Sequence, residues 1–162
     1  MNNKYDTVIG IDPDTSKSGV AFLDVKTKML EVTSLSFSDL LDYLQFLNDK
    51  KQVGKLIIVV EAGWLNTKSN FHVKNPVAGQ RVAKNVGANH QTGKLIIEMA
   101  RSYGLKVYEQ KPLKKCWKGA GGKITHDELA YFTGIMGRTN QEARDAALIA
   151  WNFAGLPIRV RV

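Results

Sequence analysis

Four acidic residues stand at positions from which their carboxylates could act together. Asp12 and Glu61 each follow directly on a short apolar, β-branched run, the pattern of a buried strand. Glu142 and Asp145 lie three residues apart, so a helix would place both on one face. Ligands and catalytic groups gather at the carboxyl ends of strands in open α/β sheets. If the two strands are neighbours, the first two carboxylates emerge at one edge of the sheet.

Such a cluster is suited to binding divalent cations. Mg²⁺ prefers oxygen ligands and keeps several of its waters. Phosphodiester cleavage with two metals needs several carboxylates around ions about 4 Å apart. Carboxylates brought that close repel one another without a cation, so the cluster itself predicts a bound metal. We predict Mg²⁺, with Mn²⁺ as a substitute.

Each acidic residue also has a simpler interpretation. Asp12 precedes Pro13 and would suit the start of a turn. Glu61 would then be an exposed residue at a strand end, and Glu142 with Asp145 would solvate a helix surface. The combination favours a site, because the last helix also carries small residues that would let it approach a sheet closely: Ala143, Ala146, Ala147, Ala150 and Ala154.

The apolar pattern predicts the elements that would position these residues. We expect strands at 7–11, 19–23, 29–37, 55–60 and 106–108, a helix capped by Ser38, a loop at 62–76, a long helix at 79–103, a basic loop at 112–123, a helix capped by Thr125 and a last helix at 140–153. The polar stretch 87–93 leaves open that the first half of the long helix is loop instead. The order predicts one α/β domain over 1–162, a mixed five-stranded sheet with helices on both faces.

The net charge of +8 favours a polyanionic partner. Between Asn66 and Lys123 the only acidic residues are Glu98 and Glu109. The basic residues there are either phosphate contacts or an ordinary solvated face. The candidates for phosphate contact are Lys68, Lys74, Arg81, Lys84, Lys114, Lys115 and Lys118.

Three parts of the chain follow the order of a known set of motifs. In the first, residues 9–13 and 18–21 form a strand that ends in Asp-Pro, then a polar turn, then a Gly that opens a second strand. In the second, residues 58–61 form the end of a strand that closes with Glu. In the third, residues 142–150 carry two acidic residues three positions apart, followed by Ala-rich sequence. In this the chain resembles the RuvC-like Holliday junction resolvases of the ribonuclease H-like superfamily. Its divergence favours a phage or prophage branch.

The resemblance implies a ribonuclease H-like fold and a function in DNA recombination and repair. It implies that Asp12, Glu61, Glu142 and Asp145 are the metal ligands. Members of the family form homodimers and cut four-way DNA junctions by symmetric nicks. The rival interpretations are a nuclease with relaxed branched-DNA or RNA/DNA-hybrid substrates and a catalytically inert junction-binding protein.

The sequence departs from the family pattern in two places. Asp14 stands where the family usually has Gly. It would be either a turn residue or a further carboxylate of the site, and the turn residue is favoured. The family tends to carry a Lys after a Gly-rich turn, a role that either Lys123 or His126 would fill.

Trp64 lies three residues after Glu61, where many family members carry an aromatic residue. It would either stack on an unpaired base, worth about 1–3 kcal/mol, or anchor its loop in the core.

The remaining expectations concern assembly and location. The segment with Leu95, Ile96, Ile97 and Met99 is more apolar than one core face requires, which favours a homodimer. No apolar run approaches the roughly 20 residues that cross a bilayer, so we expect no membrane association. The single cysteine and the absence of a signal-peptide core favour the cytoplasm, where DNA binding would place the protein at the nucleoid.

Overall fold

The computed structural model describes residues 4–49, 55–66 and 76–161, and of residue 76 the backbone only. The strands are β1 (Thr7–Asp12), β2 (Ser18–Asp24), β3 (Leu30–Leu35), β4 (Leu56–Glu61) and β5 (Val107–Gln110). The α-helices are α1 (Phe37–Asp49), α2 (Pro76–Ser102), α3 (His126–Thr133) and α4 (Gln141–Phe153), and short 3₁₀ turns lie at Gly63–Leu65 and Ala120–Gly122.

The five strands form one mixed sheet in the order β3-β2-β1-β4-β5. The first three strands are an antiparallel meander, whereas β4 runs parallel to both β1 and β5. Ile11 pairs with Val60, so the next residues, Asp12 and Glu61, leave neighbouring strands at the same edge. The predicted mixed five-stranded sheet is confirmed.

Apolar side chains of the sheet pack against helices on both of its faces. Val8 and Val59 belong to a core with α3 and α4, whereas Ile9, Ile58 and Val60 belong to a second core with α1 and α2. Strand β4 therefore alternates between two buried faces, which explains its unbroken apolar sequence. The predicted placement of helices on both faces is confirmed.

Two glycines bring α4 into backbone contact with the sheet. A Cβ atom on Gly10 would overlap the carbonyl oxygen of Ala146, and one on Gly19 would overlap that of Glu142. Neither glycine has a positive φ, so the requirement here is space and not backbone conformation. This contact holds the first turns of α4, with their acidic residues, close to the ends of β1 and β2.

The structure corrects the prediction for the start of the first helix. Helix α1 begins at Phe37, and Ser36 caps it: the Ser36 hydroxyl oxygen accepts a hydrogen bond from the backbone N–H of Asp39 at 3.3 Å. Ser38 therefore lies inside the helix.

The structure also settles two expectations about the long helix. Helix α2 is continuous from Pro76, so the polar stretch 87–93 is helical and not loop. Within the apolar segment that was the candidate dimer surface, Ile96 and Ile97 are buried in the monomer, whereas Leu95 is 38% exposed. None of the helices formed by the described residues has the length and apolar character that a membrane crossing requires.

Candidate active site

Three of the four predicted acidic residues line one cavity of about 110 Å³ at the carboxyl ends of β1 and β4. Asp12 and Glu61 reach it from the strand ends, and Asp145 reaches it from α4. The rest of the wall combines lysines with apolar residues and glycine, and consists of Lys114, Lys115, Lys123, Leu113, Trp117, Gly122, Ile124, Leu148 and Ile149. Acidic and basic side chains therefore share a concave site with apolar walls, the usual form of a binding pocket.

Asp12 is the most perturbed acid of the cavity. Burial, together with the carboxylates of Glu61 and Asp145, raises the pKa of Asp12 from 3.8 to about 9. The ammonium group of Lys123 opposes this rise, and Glu142 adds a smaller repulsion. In the absence of a cation, Asp12 is thus protonated at neutral pH.

The other two carboxyl groups of the cavity shift in the same direction. Burial and then the charge of Asp145 raise the pKa of Glu61, against the attraction of Lys115 and Lys123 and a hydrogen bond with Asp12. Burial is also the main cause that raises the pKa of Asp145. For all three carboxyl groups, burial and the neighbouring carboxylates together raise the pKa by more than the neighbouring lysines lower it.

Glu142, the fourth predicted acid, lies in the first turn of α4 and is not among the residues that line the cavity. Its carboxylate is close enough to contribute repulsion to both Asp12 and Asp145. The structure thus gathers all four predicted acids into one electrostatically coupled group, with three of them at the cavity wall.

The chemistry of this group fits a hard divalent cation. The available ligands are carboxylate oxygens, which Mg²⁺ prefers, and a cation would offset the repulsion that raises their pKa values. As the side chains stand, no three His, Cys, Asp or Glu residues within the described ranges are arranged to hold one metal ion. Ligation of one ion by three of these groups would therefore require their side chains to converge further.

Two basic residues had been candidates for one role at this site, and the structure separates them. Lys123 lines the cavity with its Nζ 3.9 Å from Oδ2 of Asp145. His126 begins α3, where its Nδ1 forms a hydrogen bond with the Thr139 hydroxyl at 2.8 Å, and it does not line the cavity. Of the two candidates, Lys123 is thus the one that lies next to the carboxylates.

Asp14 is a turn residue, as favoured from the sequence. Its carboxylate accepts the backbone N–H of Ser16 at 3.0 Å, and its own N–H donates to the Ser18 hydroxyl at 3.1 Å. This pattern closes the turn between β1 and β2.

The basic loop before α3 is held by a buried carboxylate. Oε1 of Glu128 accepts the backbone N–H groups of Lys118 and Thr125, at 3.0 and 3.1 Å, and the Thr125 hydroxyl at 3.0 Å. This is a complete capping box at the start of α3 and confirms the predicted Thr125 cap. Trp117 stacks on Phe132 with ring centroids 6.0 Å apart. The loop is therefore anchored at both its backbone and its aromatic side chain.

The other candidate DNA contacts are spread over a wider surface. Lys114, Lys115 and Lys118 are exposed on the basic loop, and Arg81 and Lys84 are exposed on α2. Lys68 and Lys74 lie outside the described residues.

Trp64 is tethered but only partly buried. Its Nε1 donates to Oε1 of Glu109 at 3.1 Å, Lys94 Nζ lies 5.6 Å from its ring centroid, and His90 meets it edge-on at 6.0 Å. These contacts anchor the residue between β5 and α2 while leaving part of the ring accessible.

Sequence reasoning missed Gln141 and Arg144, which surround Asp145. Gln141 Nε2 donates to Oδ1 of Asp145 at 2.8 Å, and Arg144 Nη2 donates to the Gln141 side-chain oxygen at 3.0 Å. The four-residue spacing of Gln141 and Asp145 was the available signal, because residues at that spacing are neighbours on a helix.

Comparison with known proteins supports the architecture. No family model matches the chain, and no curated protein matches its sequence. Among solved structures, T. thermophilus RuvC in complex with Holliday junction substrate is similar at 17% identity, with 90% of each chain covered and a TM-score of 0.50. A second Thermus thermophilus RuvC structure is 19% identical over 92% of this chain and 96% of that chain, with a TM-score of 0.49. The large terminase nuclease of thermophilic phage G20c is 15% identical over 92% and 82%, with a TM-score of 0.33.

The first of these similarities shows the fold. The chain has the ribonuclease H-like fold that was expected, with the mixed five-stranded sheet and its helices on both faces.

Proposed function

We propose that the chain is a metal-dependent, structure-selective DNA endonuclease that resolves four-way junctions by paired symmetric nicks. The observation that carries the proposal is the convergence of Asp12, Glu61 and Asp145, buried and mutually repelling, on one cavity that also holds Lys115 and Lys123. The similar RuvC structure contains a Holliday junction substrate, which supports branched DNA as the ligand.

In this proposal the carboxylates of Asp12, Glu61, Glu142 and Asp145 hold Mg²⁺, with Mn²⁺ as a substitute. Bound divalent ions would supply an activated water and would stabilise the leaving oxygen of the phosphodiester. Lys123, within reach of Asp145, would offset negative charge on the phosphate that is cut. The apolar wall of the cavity would limit access of bulk water.

The basic residues extend the proposed contact beyond the cut phosphate. Lys114 and Lys115 line the cavity, and Lys118 lies on the same basic loop; all three are exposed and would bind the backbone of the cleaved strand. The remaining candidates would contact the arms of the junction, with Trp64 available for stacking: Lys68, Lys74, Arg81, Lys84 and His126.

We also propose that residues 1–162 form a single nuclease domain that works as a homodimer. One cavity cuts one strand, so two symmetric cuts need two copies facing a two-fold substrate. Ile96 and Ile97 are buried in the monomer. Leu95 is therefore the exposed residue of α2 that is available for the predicted dimer contact. The proposed location is the cytoplasm, with DNA binding at the nucleoid.

A cleavage assay tests the proposal. Purified protein is incubated with a labelled four-way junction, a matched duplex and an RNA/DNA hybrid, each with Mg²⁺, Mn²⁺ or EDTA. We expect paired nicks in the junction that require the metal. Cleavage of the hybrid instead would favour an RNA-cutting enzyme, and equal cutting of the junction and the matched duplex would favour a nuclease without junction selectivity. Junction binding without cleavage under any condition would identify an inert binding protein.

A further inference from the structure

Gln141, the first residue of α4, uses its side-chain amide to join three parts of the site. Its Nε2 donates to Oδ1 of Asp145 at 2.8 Å and to the backbone carbonyl of Ile124 at 3.1 Å. Its Oε1 accepts from Nη2 of Arg144 at 3.0 Å. Both amide hydrogens and the oxygen are thus engaged, which fixes the side chain in one orientation.

Arg144 completes this network and is not itself among the residues that line the cavity. Its Nε donates to the same Ile124 carbonyl at 3.1 Å, and its Nη1 donates to the Thr139 carbonyl at 2.6 Å and the Thr139 hydroxyl at 3.2 Å. The planar guanidinium makes these bonds and the bond to Gln141 at once. A lysine cannot reproduce that geometry, because its donors radiate from a single nitrogen.

The two ends of the network lie at the cavity. Asp145 has one carboxylate oxygen held by Gln141, and its other oxygen lies 3.9 Å from Lys123 Nζ. Ile124, the residue after Lys123, receives hydrogen bonds from both Gln141 and Arg144. Gln141 Nε2 therefore holds the carboxylate, and Gln141 Nε2 together with Arg144 Nε holds the backbone next to its lysine neighbour.

We propose that Gln141 and Arg144 are positioning residues that set the affinity of the cavity for divalent metal. The inference rests on the proposed function, since it takes Asp145 as a metal ligand. The two residues act through Asp145 and Ile124. Groups that orient a metal ligand by hydrogen bonding usually affect metal affinity by 10- to 100-fold when removed.

The test measures Mn²⁺ binding by the whole chain in the absence of DNA, with free Mn²⁺ followed by electron paramagnetic resonance. Gln141→Met keeps the length of the side chain and removes its N–H donors, and we expect it to bind Mn²⁺ about 10-fold more weakly. Arg144→Lys keeps the charge and loses the planar fork, so it should weaken binding in the same direction. Gln45→Met on the exposed surface of α1 is the matched control and should bind as the wild type does.

Thermal unfolding of the same proteins separates positioning from a merely structural role. A structural role predicts lower melting temperatures with unchanged Mn²⁺ affinity, and that result overturns the inference. Should Gln141→Met fail to fold, Arg144→Lys decides the matter by the same comparison. A wild-type chain that binds no Mn²⁺ overturns the proposed function together with this inference, whereas equal binding by the wild type and both variants overturns the inference alone.

Discussion

At the scale of single residues, Asp12 carries the largest electrostatic cost of the site. Burial and the neighbouring carboxylates raise its pKa from 3.8 to about 9. Because the folded pKa is raised, the folded chain binds a proton more tightly than the unfolded chain does. The contribution of this group to stability is complete below pH 3.8 and is lost as the pH rises toward about 9.

This linkage predicts how Asp12→Asn changes stability. Asparagine does not titrate, so without metal the variant should melt above the wild type at neutral pH, with the difference growing from pH 5 to pH 9. Each kcal/mol corresponds to roughly 2–4 °C in a domain of this size. Melting curves in EDTA at several pH values provide the measurement, with Asp42→Asn on the exposed surface of α1 as the control. A constant difference across that range would contradict the raised pKa.

Asp145→Asn separates cleavage from binding. The variant should lose junction cleavage in Mg²⁺ because a proposed metal ligand is gone. Its affinity for the junction in EDTA should equal or exceed that of the wild type, because one charge that repels phosphate has been removed. Gel-shift titration and a cleavage time course measure the two properties on the same substrate. Undiminished cleavage would exclude Asp145 from the metal site.

At the scale of elements, the contact of α4 with the sheet determines where two of the acids lie. Gly19→Ala would force a methyl group onto the Glu142 carbonyl, so the helix must shift. We expect a loss of about 1–3 kcal/mol in the free energy of unfolding, as for other overpacked sites. Urea unfolding of the wild type and the variant measures this loss.

Gly87→Ala is the matched control for that substitution. Gly87 lies in α2 with no atom within 4 Å of the added Cβ. Alanine there should stabilise the helix by up to about 1 kcal/mol. Equal effects of the two substitutions would show that α4 is not held by the glycine contact.

The elements also show how far the sequence determines the structure. The strands and α4 were predictable because their apolar runs and Ala-rich spacing follow directly from burial. The cap of α1 was not, because Ser36 and Ser38 are equally good capping residues and the end of β3 selects between them. The helical stretch 87–93 meets partners that are distant in the sequence: Asn89 accepts the Thr15 N–H at 3.1 Å, and Gly93 packs against Trp64.

The candidate site likewise has features that the sequence predicts and features that it does not. The sequence predicts that Asp12 and Glu61 share one edge if their strands are neighbours, and the parallel pairing of β1 with β4 meets that condition. The choice between Lys123 and His126 could not be made, since it depends on how the basic loop folds over Glu128. The spacing of Gln141 and Asp145 is visible in the sequence, but the bonds from Gln141 and Arg144 to the Ile124 carbonyl are marked by no sequence pattern.

At the scale of the whole molecule, the excess of positive charge predicts binding that weakens with salt. The variant Lys114→Ala/Lys115→Ala should lower junction affinity and reduce the salt slope by about 1 for each phosphate contact removed. Lys26→Ala/Lys55→Ala removes the same charge at the opposite edge of the sheet and should retain the slope. Fluorescence anisotropy across a salt series measures both. Equal loss in the two variants would mean that net charge, and not the cavity surface, controls binding.

Assembly is the second property of the whole molecule. We expect a dimer in sedimentation at micromolar concentration, and a shift to monomer in Leu95→Glu, because a buried charge without a partner opposes association. Met136→Glu alters a residue that is 91% exposed and should leave the dimer intact. A wild-type monomer, both free and on junction DNA, would leave a single-strand nicking enzyme as the better description.

The backbone contact at Gly10 and Gly19 makes the spacing of the acids adjustable in only one direction. Backbone atoms of α4 lie directly against both glycines, so neither glycine can be replaced by a smaller residue, and a larger residue at either position widens the gap. In this scaffold, closer spacing of the acids can therefore come only from the reach of the carboxylates themselves. Exchanging Asp for Glu, which adds one methylene group, is the finest step available to it.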